Sequence, residues 1–91
     1  MLRFEWDDAK NRENKRKHRV SFEEAETVFL DDWGVLIEDE EQRFVLVGTS
    51  AALRVLVVCH TYRARDQVIR IISARRANRA ERRDYERRWR R

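Results

Sequence analysis

The sequence predicts an α+β fold, an antiparallel four- to five-stranded sheet with two N-terminal helices packed on it and a C-terminal helix. Three observations carry that expectation. Ser21-Phe22-Glu23-Glu24 reads as a capping box, and Phe22, Ala25, Val28 and Phe29 follow it as one apolar helical stripe. Four apolar runs, at 35–37, 43–48, 53–61 and 68–73, are separated by short polar turns, as strands of one meander would be. Proline is absent and glycine occurs only at Gly34 and Gly48, so nothing reads as a flexible linker, and residues 1–91 form a single domain.

Taken in order, Phe4-Glu5-Trp6 alternates apolar and acidic, as a short edge strand does. Asp7 or Asp8 caps a helix to about His18, with acids at its positive end and Lys15, Arg16, Lys17 and His18 at its negative end. Its apolar content is thin, which lays it across a surface. The second helix runs from Ser21 to near Asp31. Val35-Leu36-Ile37, the acidic turn 38–41 and Arg43 to Gly48 make a hairpin. Leu53 to Thr61 is apolar on both alternating faces, Leu56 and Val58 on one, Val55, Val57 and Cys59 on the other. Only a strand covered on both sides reads so. Val68 to Ser73 is the next strand, after the turn from Arg63 to Asp66. Asn78-Arg79-Ala80-Glu81 is a second capping box and opens a last helix, with Tyr85 and Trp89 stacked at i, i+4. The economical assembly is an antiparallel meander of four strands with the helices on one side.

Charge is blocked along the chain. The formal net charge is +4, with 42% of residues charged. Six of the ten residues from Lys10 to Arg19 are lysine or arginine. Val20 to Glu41 carries nine acids and no basic residue, and nine arginines follow from Arg75 onward. Segregation of this kind suits separate surfaces for separate partners, one of them an anion. The acidic stretch reads either as a docking face for a basic segment or as a solvated helix and turn. The absence of any long apolar stretch, at the N-terminus or elsewhere, predicts a cytoplasmic protein with no membrane association.

Several chemistries are excluded. Two isolated glycines build no phosphate-cradling loop. Cys59 is the single cysteine, so neither an intramolecular disulfide nor a cysteine zinc site is available. His18 and His60 have no metal-ligand spacing with Cys59, so no metal and no cofactor is expected. Cys59 falls on the strand face opposite His60 and reads as a small buried hydrophobe. What remains is His60-Thr61-Tyr62-Arg63, Arg70, Ser73, Arg75, Arg76 and Tyr85, the groups that metal-free RNA cleavage uses. Such cleavage needs a base for the 2′-hydroxyl, cations on the developing phosphorane and an acid for the leaving oxygen. Histidine serves either proton role, and arginine forks onto phosphate oxygens. If Val58 lies opposite Arg70, His60 and Arg70 share a face one diagonal apart; a slip of one residue parts them. Arg70 within Val-Ile-Arg-Ile-Ile requires an anion, either a carboxylate of the chain or a substrate phosphate.

These residues also carry a resemblance. Phe4-Glu5-Trp6-Asp7, Ala9-Lys10, Asn14, Lys17-His18 and Val20 to Ala25 form one block. Val57-Val58, His60-Thr61, Arg63 and Ile69 to Ala77 form a second, followed by Glu81-Arg82 and Tyr85-Glu86. In both blocks, in this order, the chain resembles the BrnT toxin family of bacterial type II toxin–antitoxin pairs. The resemblance implies a RelE-like fold and a metal-independent endoribonuclease that inhibits translation by cutting RNA, alone or on the ribosome. It also implies neutralisation by a BrnA-like ribbon-helix-helix antitoxin, with DNA reached only through the antitoxin complex.

On that reading His60, Arg63 and Arg70 are the catalytic candidates, and Lys17, Arg75, Arg76 and Tyr85 the phosphate- or substrate-binding ones. Tyr85 has a core position beside Trp89 as its other reading. Two positions depart from the family pattern. A glycine is usual where Arg19 stands, so Arg19 either takes a left-handed cap at a cost of about 1 kcal/mol or forces a different cap. A glutamate is common where Tyr62 stands; if it is the family's base, either His60 serves here or the activity of this copy is weakened. The competing function is a non-catalytic nucleic-acid-binding or co-repressor module acting with a ribbon-helix-helix partner, for which the arginine-rich C-terminal helix suffices.

Overall fold

The computed structural model describes residues 2–65 and 67–88. Strand β1 (Arg3–Glu5) leads to helix α1 (Asp8–His18) and helix α2 (Phe22–Thr27), which tightens into a 3-10 turn at Val28–Leu30. Strands β2 (Val35–Glu38), β3 (Phe44–Thr49), β4 (Val55–Arg63) and β5 (Val68–Arg76) follow, and helix α3 (Arg79–Arg88) ends the described chain. Asp66 of the expected turn lies outside the described residues, as do Trp89, Arg90 and Arg91 of the expected last helix.

The expected helix starts are present, with their chemistry resolved. Asp7 caps α1 by accepting from the Ala9 and Lys10 amides at 2.8 and 3.1 Å. Arg19 closes α1 in the left-handed region (φ 57°, ψ 34°), so the chain adopts the glycine-type cap with an arginine. Ser21 accepts from the Glu24 amide at 3.0 Å. The Glu24 carboxylate turns instead to Arg54 and Ser50, so this capping box is half closed. At α3 the box is complete: the Glu81 amide donates to Asn78 Oδ1 and the Asn78 amide to Glu81 Oε1, both at 2.8 Å.

The sheet order is β1-β5-β4-β3-β2. β2 to β5 form the expected antiparallel meander, while β1 pairs parallel with β5, making the sheet mixed. The long connection that parallel pairing needs is made by everything between β1 and β5, both helices and strands β2 to β4. Val20, Phe22, Ala25 and Val28 pack on Leu46, Leu56, Val58, Ile69, Ile71 and Ala74. The opposite face holds a smaller cluster of Val47, Val57 and Tyr85, with Val35, Val45 and Val55 against it. α3 therefore covers the side away from α1 and α2, which corrects the expectation of helices on one side. Val57 and its neighbours required a cover, and Tyr85 of α3 supplies it.

α1 is docked by asparagines because it has almost no apolar residue to bury. Asn14 donates to the Val20 and Ala74 carbonyls at 2.8 and 2.7 Å and accepts from the Ala74 amide at 3.2 Å. β1 pairs only with Val68 to Arg70, so further along β5 the outward backbone of Ala74 has no strand to meet, and the Asn14 amide takes its place. Asn11 accepts from the Phe22 amide and donates to Glu23, both at 2.9 Å.

Candidate active site

β5 carries one residue more than β4 at the Cys59/His60 step, and this bulge sets the site. Core residues on β5 change parity across it, from Ile69 and Ile71 to Ala74. Arg63 pairs with Val68, so Thr61 falls opposite Arg70 and His60 opposite Ile71. The register that sets Val58 against Arg70 is therefore absent; Val58 faces Ala74. His60 and Arg70 lie on opposite faces of the sheet, because side chains alternate with every residue. The turn is the cause: Ala64 and Arg65 both take positive φ (51° and 58°), and the Gln67 amide closes on the Ala64 carbonyl at 3.2 Å.

His60 is fully buried. Its ring meets Phe29 edge-on at 4.8 Å and stacks on Phe44 at 6.0 Å. Nδ1 lies 3.2 Å from the Val58 carbonyl and so carries the proton, leaving Nε2 to accept from the Tyr62 hydroxyl at 3.3 Å. Burial holds its pKa below the ordinary histidine value, so the ring is neutral. Tyr62 occupies the same aromatic cluster, 4.8 Å from Phe44.

The two arginines meet elsewhere. Phe4 packs on Phe29 at 5.2 Å and Trp6 on Phe22 at 6.0 Å, so Glu5 between them projects from the other face of β1. Parallel pairing sets Glu5 beside Arg70. One oxygen of the Glu5 carboxylate accepts from Arg70 at 2.9 Å and from Arg63 at 3.0 Å. The Arg70 hydrogen bond above all, with Arg63 adding to it, holds this carboxyl below the usual glutamate range, so it is ionised. The three side chains keep 38%, 35% and 59% of their surface for Glu5, Arg70 and Arg63, enough to reach a bound polyanion. Glu5 is the site residue that the sequence did not nominate. Its only signals were the alternation of Phe4-Glu5-Trp6 and the need of Arg70 for an anion.

The remaining candidates are dispersed. Arg75 is held by both Glu81 oxygens at 2.8 Å. Arg76 is exposed at the end of β5, and Lys17 is exposed on α1, 3.5 Å from Glu13. Tyr85 is buried in the second cluster, its hydroxyl donating to Asp31 and accepting from Thr49 Oγ1 at 2.9 Å, so its ring is not open to a base; it takes the core position. Trp89, its expected partner, lies outside the described residues. Burial raises the Cys59 thiol pKa above the ordinary value, which leaves it unreactive near neutrality. Among the described residues no three His, Cys, Asp or Glu side chains gather to hold a metal ion, and no helix is long and apolar enough to cross a membrane.

Comparison with known proteins agrees with this architecture. In the solved structures the chain is similar to the Brucella abortus ribonuclease toxin BrnT, at 20% identity and a TM-score of 0.72, over 86% of this chain and 99% of that one. No curated protein matches it in sequence. Residues 6–81 match the family model described as the ribonuclease toxin, BrnT, of type II toxin–antitoxin systems. With that match spanning most of its length, the chain belongs to the BrnT ribonuclease toxin family.

Proposed function

We propose that this chain is a metal-independent endoribonuclease, the toxin of a type II pair, which inhibits translation by cutting RNA. The observation that carries this reading is the Glu5 carboxylate held between Arg63 and Arg70 at 3.0 and 2.9 Å on an accessible face. An incoming phosphodiester draws both guanidinium groups off the shared Glu5 oxygen and is gripped by both arginines. The freed Glu5 oxygen accepts the 2′-hydroxyl proton, and the 2′-oxygen forms a bond to phosphorus. The bond from phosphorus to the 5′-oxygen breaks, leaving a 2′,3′-cyclic phosphate. The departing oxygen takes its proton from water, which the half-exposed cluster admits. Arg63 and Arg70 carry the charge that develops on the equatorial oxygens. His60 acts here as a positioning residue, since its buried ring anchors in the core the same strand, β4, that presents Thr61 and Arg63. Arg76 and Lys17 extend the phosphate-binding surface.

The partners on this reading are RNA, free or on the ribosome, and a BrnA-like ribbon-helix-helix antitoxin. DNA is reached only through the complex, and the toxin acts in the cytoplasm. The test is incubation of the purified chain with RNA in EDTA, alone and on ribosomes, beside Glu5→Gln and a 2′-deoxy substrate. Cleavage of RNA only, lost in Glu5→Gln, is expected. Cleavage that survives Glu5→Gln unchanged would overturn the assignment of the base. Binding of RNA without cleavage in either setting favours the co-repressor module, for which the exposed Arg79, Arg82, Arg83, Arg87 and Arg88 of α3 are the supporting observation.

A further inference from the structure

We propose that the open edge of β2 is a docking site for an extended basic segment of another protein, which joins the sheet as a sixth strand. Among the described residues β2 has a neighbour on one side only, β3. The Asp39 amide bonds the Arg43 carbonyl at 2.7 Å and so sets the alternation of the hairpin. From it, Ile37 and Val35 turn their backbone groups toward β3, and Leu36 and Glu38 turn theirs outward. Edge strands are ordinarily blunted by proline, lysine, a bulge or a covering element. β2, Val-Leu-Ile-Glu, is short and ends in one charge, but it carries no proline, lysine or bulge and its first three residues are apolar. Leu36 and Ile37 are about half exposed, on opposite faces, and Trp33 just before the strand is equally open.

The α3 side of this edge is a groove of about 620 Å³, floored by Val35, Ile37, Val45 and Val57. Glu38 and Asp39 stand at its β2 rim, and Asp84, paired with Arg87, and Arg88 at its α3 rim. Arg75 beneath it is already neutralised by Glu81. Apolar residues of an added strand therefore cross the groove, and its cations belong at its ends. There the chain is acidic: Asp32 is exposed before β2, and Glu38, Asp39 and Glu41 after it. No lysine or arginine occurs from Val20 to Glu41.

This charge pattern selects the occupant. A second copy of the chain paired antiparallel about Leu36 sets the acidic 38–41 turn of each against Asp31 and Asp32 of the other. Parallel self-pairing sets the two turns side by side. Both arrangements bring the carboxylates of the two copies together, whereas a strand with basic ends and alternating apolar residues matches edge, groove and charge at once. β2 is the edge opposite β1, which carries Glu5, so docking and RNA cleavage use separate surfaces. The proposal holds whether or not the chain cuts RNA.

The test uses the whole chain and a fluorescein-labelled peptide of alternating valine and threonine with paired lysines at each end, read by anisotropy. Saturable binding is expected, weakened on the order of tenfold by the double variant Glu38→Lys, Glu41→Lys, whose exposed positions leave the fold intact by circular dichroism. N-methylation of the peptide amides on one edge should abolish binding, and on the other edge leave it, since a strand bonds through alternate groups. Equal binding of both methylated forms means charge attraction without strand addition and overturns the proposal, as does no binding to the folded chain. A dimer in sedimentation that Leu36→Lys dissolves assigns the edge to a second copy instead.

Discussion

Glu81 holds the Arg75 guanidinium with both carboxylate oxygens at 2.8 Å, and one of those oxygens also accepts the Asn78 amide that opens α3. One side chain thus ties the end of β5 to the helix that covers the second face of the sheet. The Arg75 hydrogen bonds, foremost, hold the Glu81 carboxyl at about 2. A depressed carboxylate pKa contributes stability that is complete above the unfolded value and is lost as pH falls through the folded one. Glu81→Gln should therefore destabilise the chain near neutrality by about 1 kcal/mol, a capping-box loss plus a screened ion pair. In urea unfolding the gap between wild type and variant should close as pH falls from about 4.5 toward 2.

His60 predicts a second pH dependence with its own window. Its folded pKa lies below the ordinary value because it is buried, so below about pH 6.5 the unfolded chain binds the extra proton and stability falls. The loss should be visible in the unfolding midpoint as pH falls below about 6.5 and absent in His60→Leu. A midpoint slope that persists in the variant would assign the effect to other groups.

Asn14→Ala removes the amide that satisfies the Val20 carbonyl and both backbone groups of Ala74. Leaving buried polar groups unpaired costs about 2–4 kcal/mol here, on the scale of a large core truncation. Thermal unfolding should report the loss. An effect under about 0.5 kcal/mol would mean that water replaces the amide at no cost.

Arg19→Gly relieves a left-handed residue at φ 57°. The Arg19 carbonyl, which accepts from Arg54 at 3.1 Å, is kept in the variant. Relief of the side-chain strain exceeds the entropy that glycine adds to the unfolded chain, and a gain of about 0.5–1 kcal/mol is expected in denaturant titration.

For cleavage, Glu5→Gln should lower the rate on the order of 10²-fold or more, with RNA binding retained, because it removes a base and leaves the arginines. Arg70→Met should weaken both binding and cleavage. Equal loss of RNA binding in the two variants would mark the cluster as structural.

Much of the architecture was legible because it is written in local chemistry. Asp7, Ser21 and Asn78 mark helix starts through side chains that reach their own amides, and β4 announces burial on both faces by its unbroken apolar run. Arg19 shows its strain by standing where a glycine cap belongs. The candidate site was less legible. Arg63 and Arg70 stand out in the sequence, and Arg70 among apolar neighbours needs an anion, but the anion itself, Glu5, is 65 residues away in sequence. Nothing local encodes that β1 runs parallel to β5.

The sequence by itself determined the α+β class, the order of the elements, the caps, the two-sided burial of β4 and the family. All but the family, which rests on motifs in order along the chain, depend on neighbours a few residues apart. Only the tertiary structure decided the pairing. A bulge at Cys59/His60 and the left-handed turn at Ala64 and Arg65 set the register, and in a sheet one residue of register moves every side chain to the other face. That step buried His60 among aromatic rings and brought Arg63 and Arg70 to Glu5. It is why the residues that share a site are known from the fold and not from their spacing.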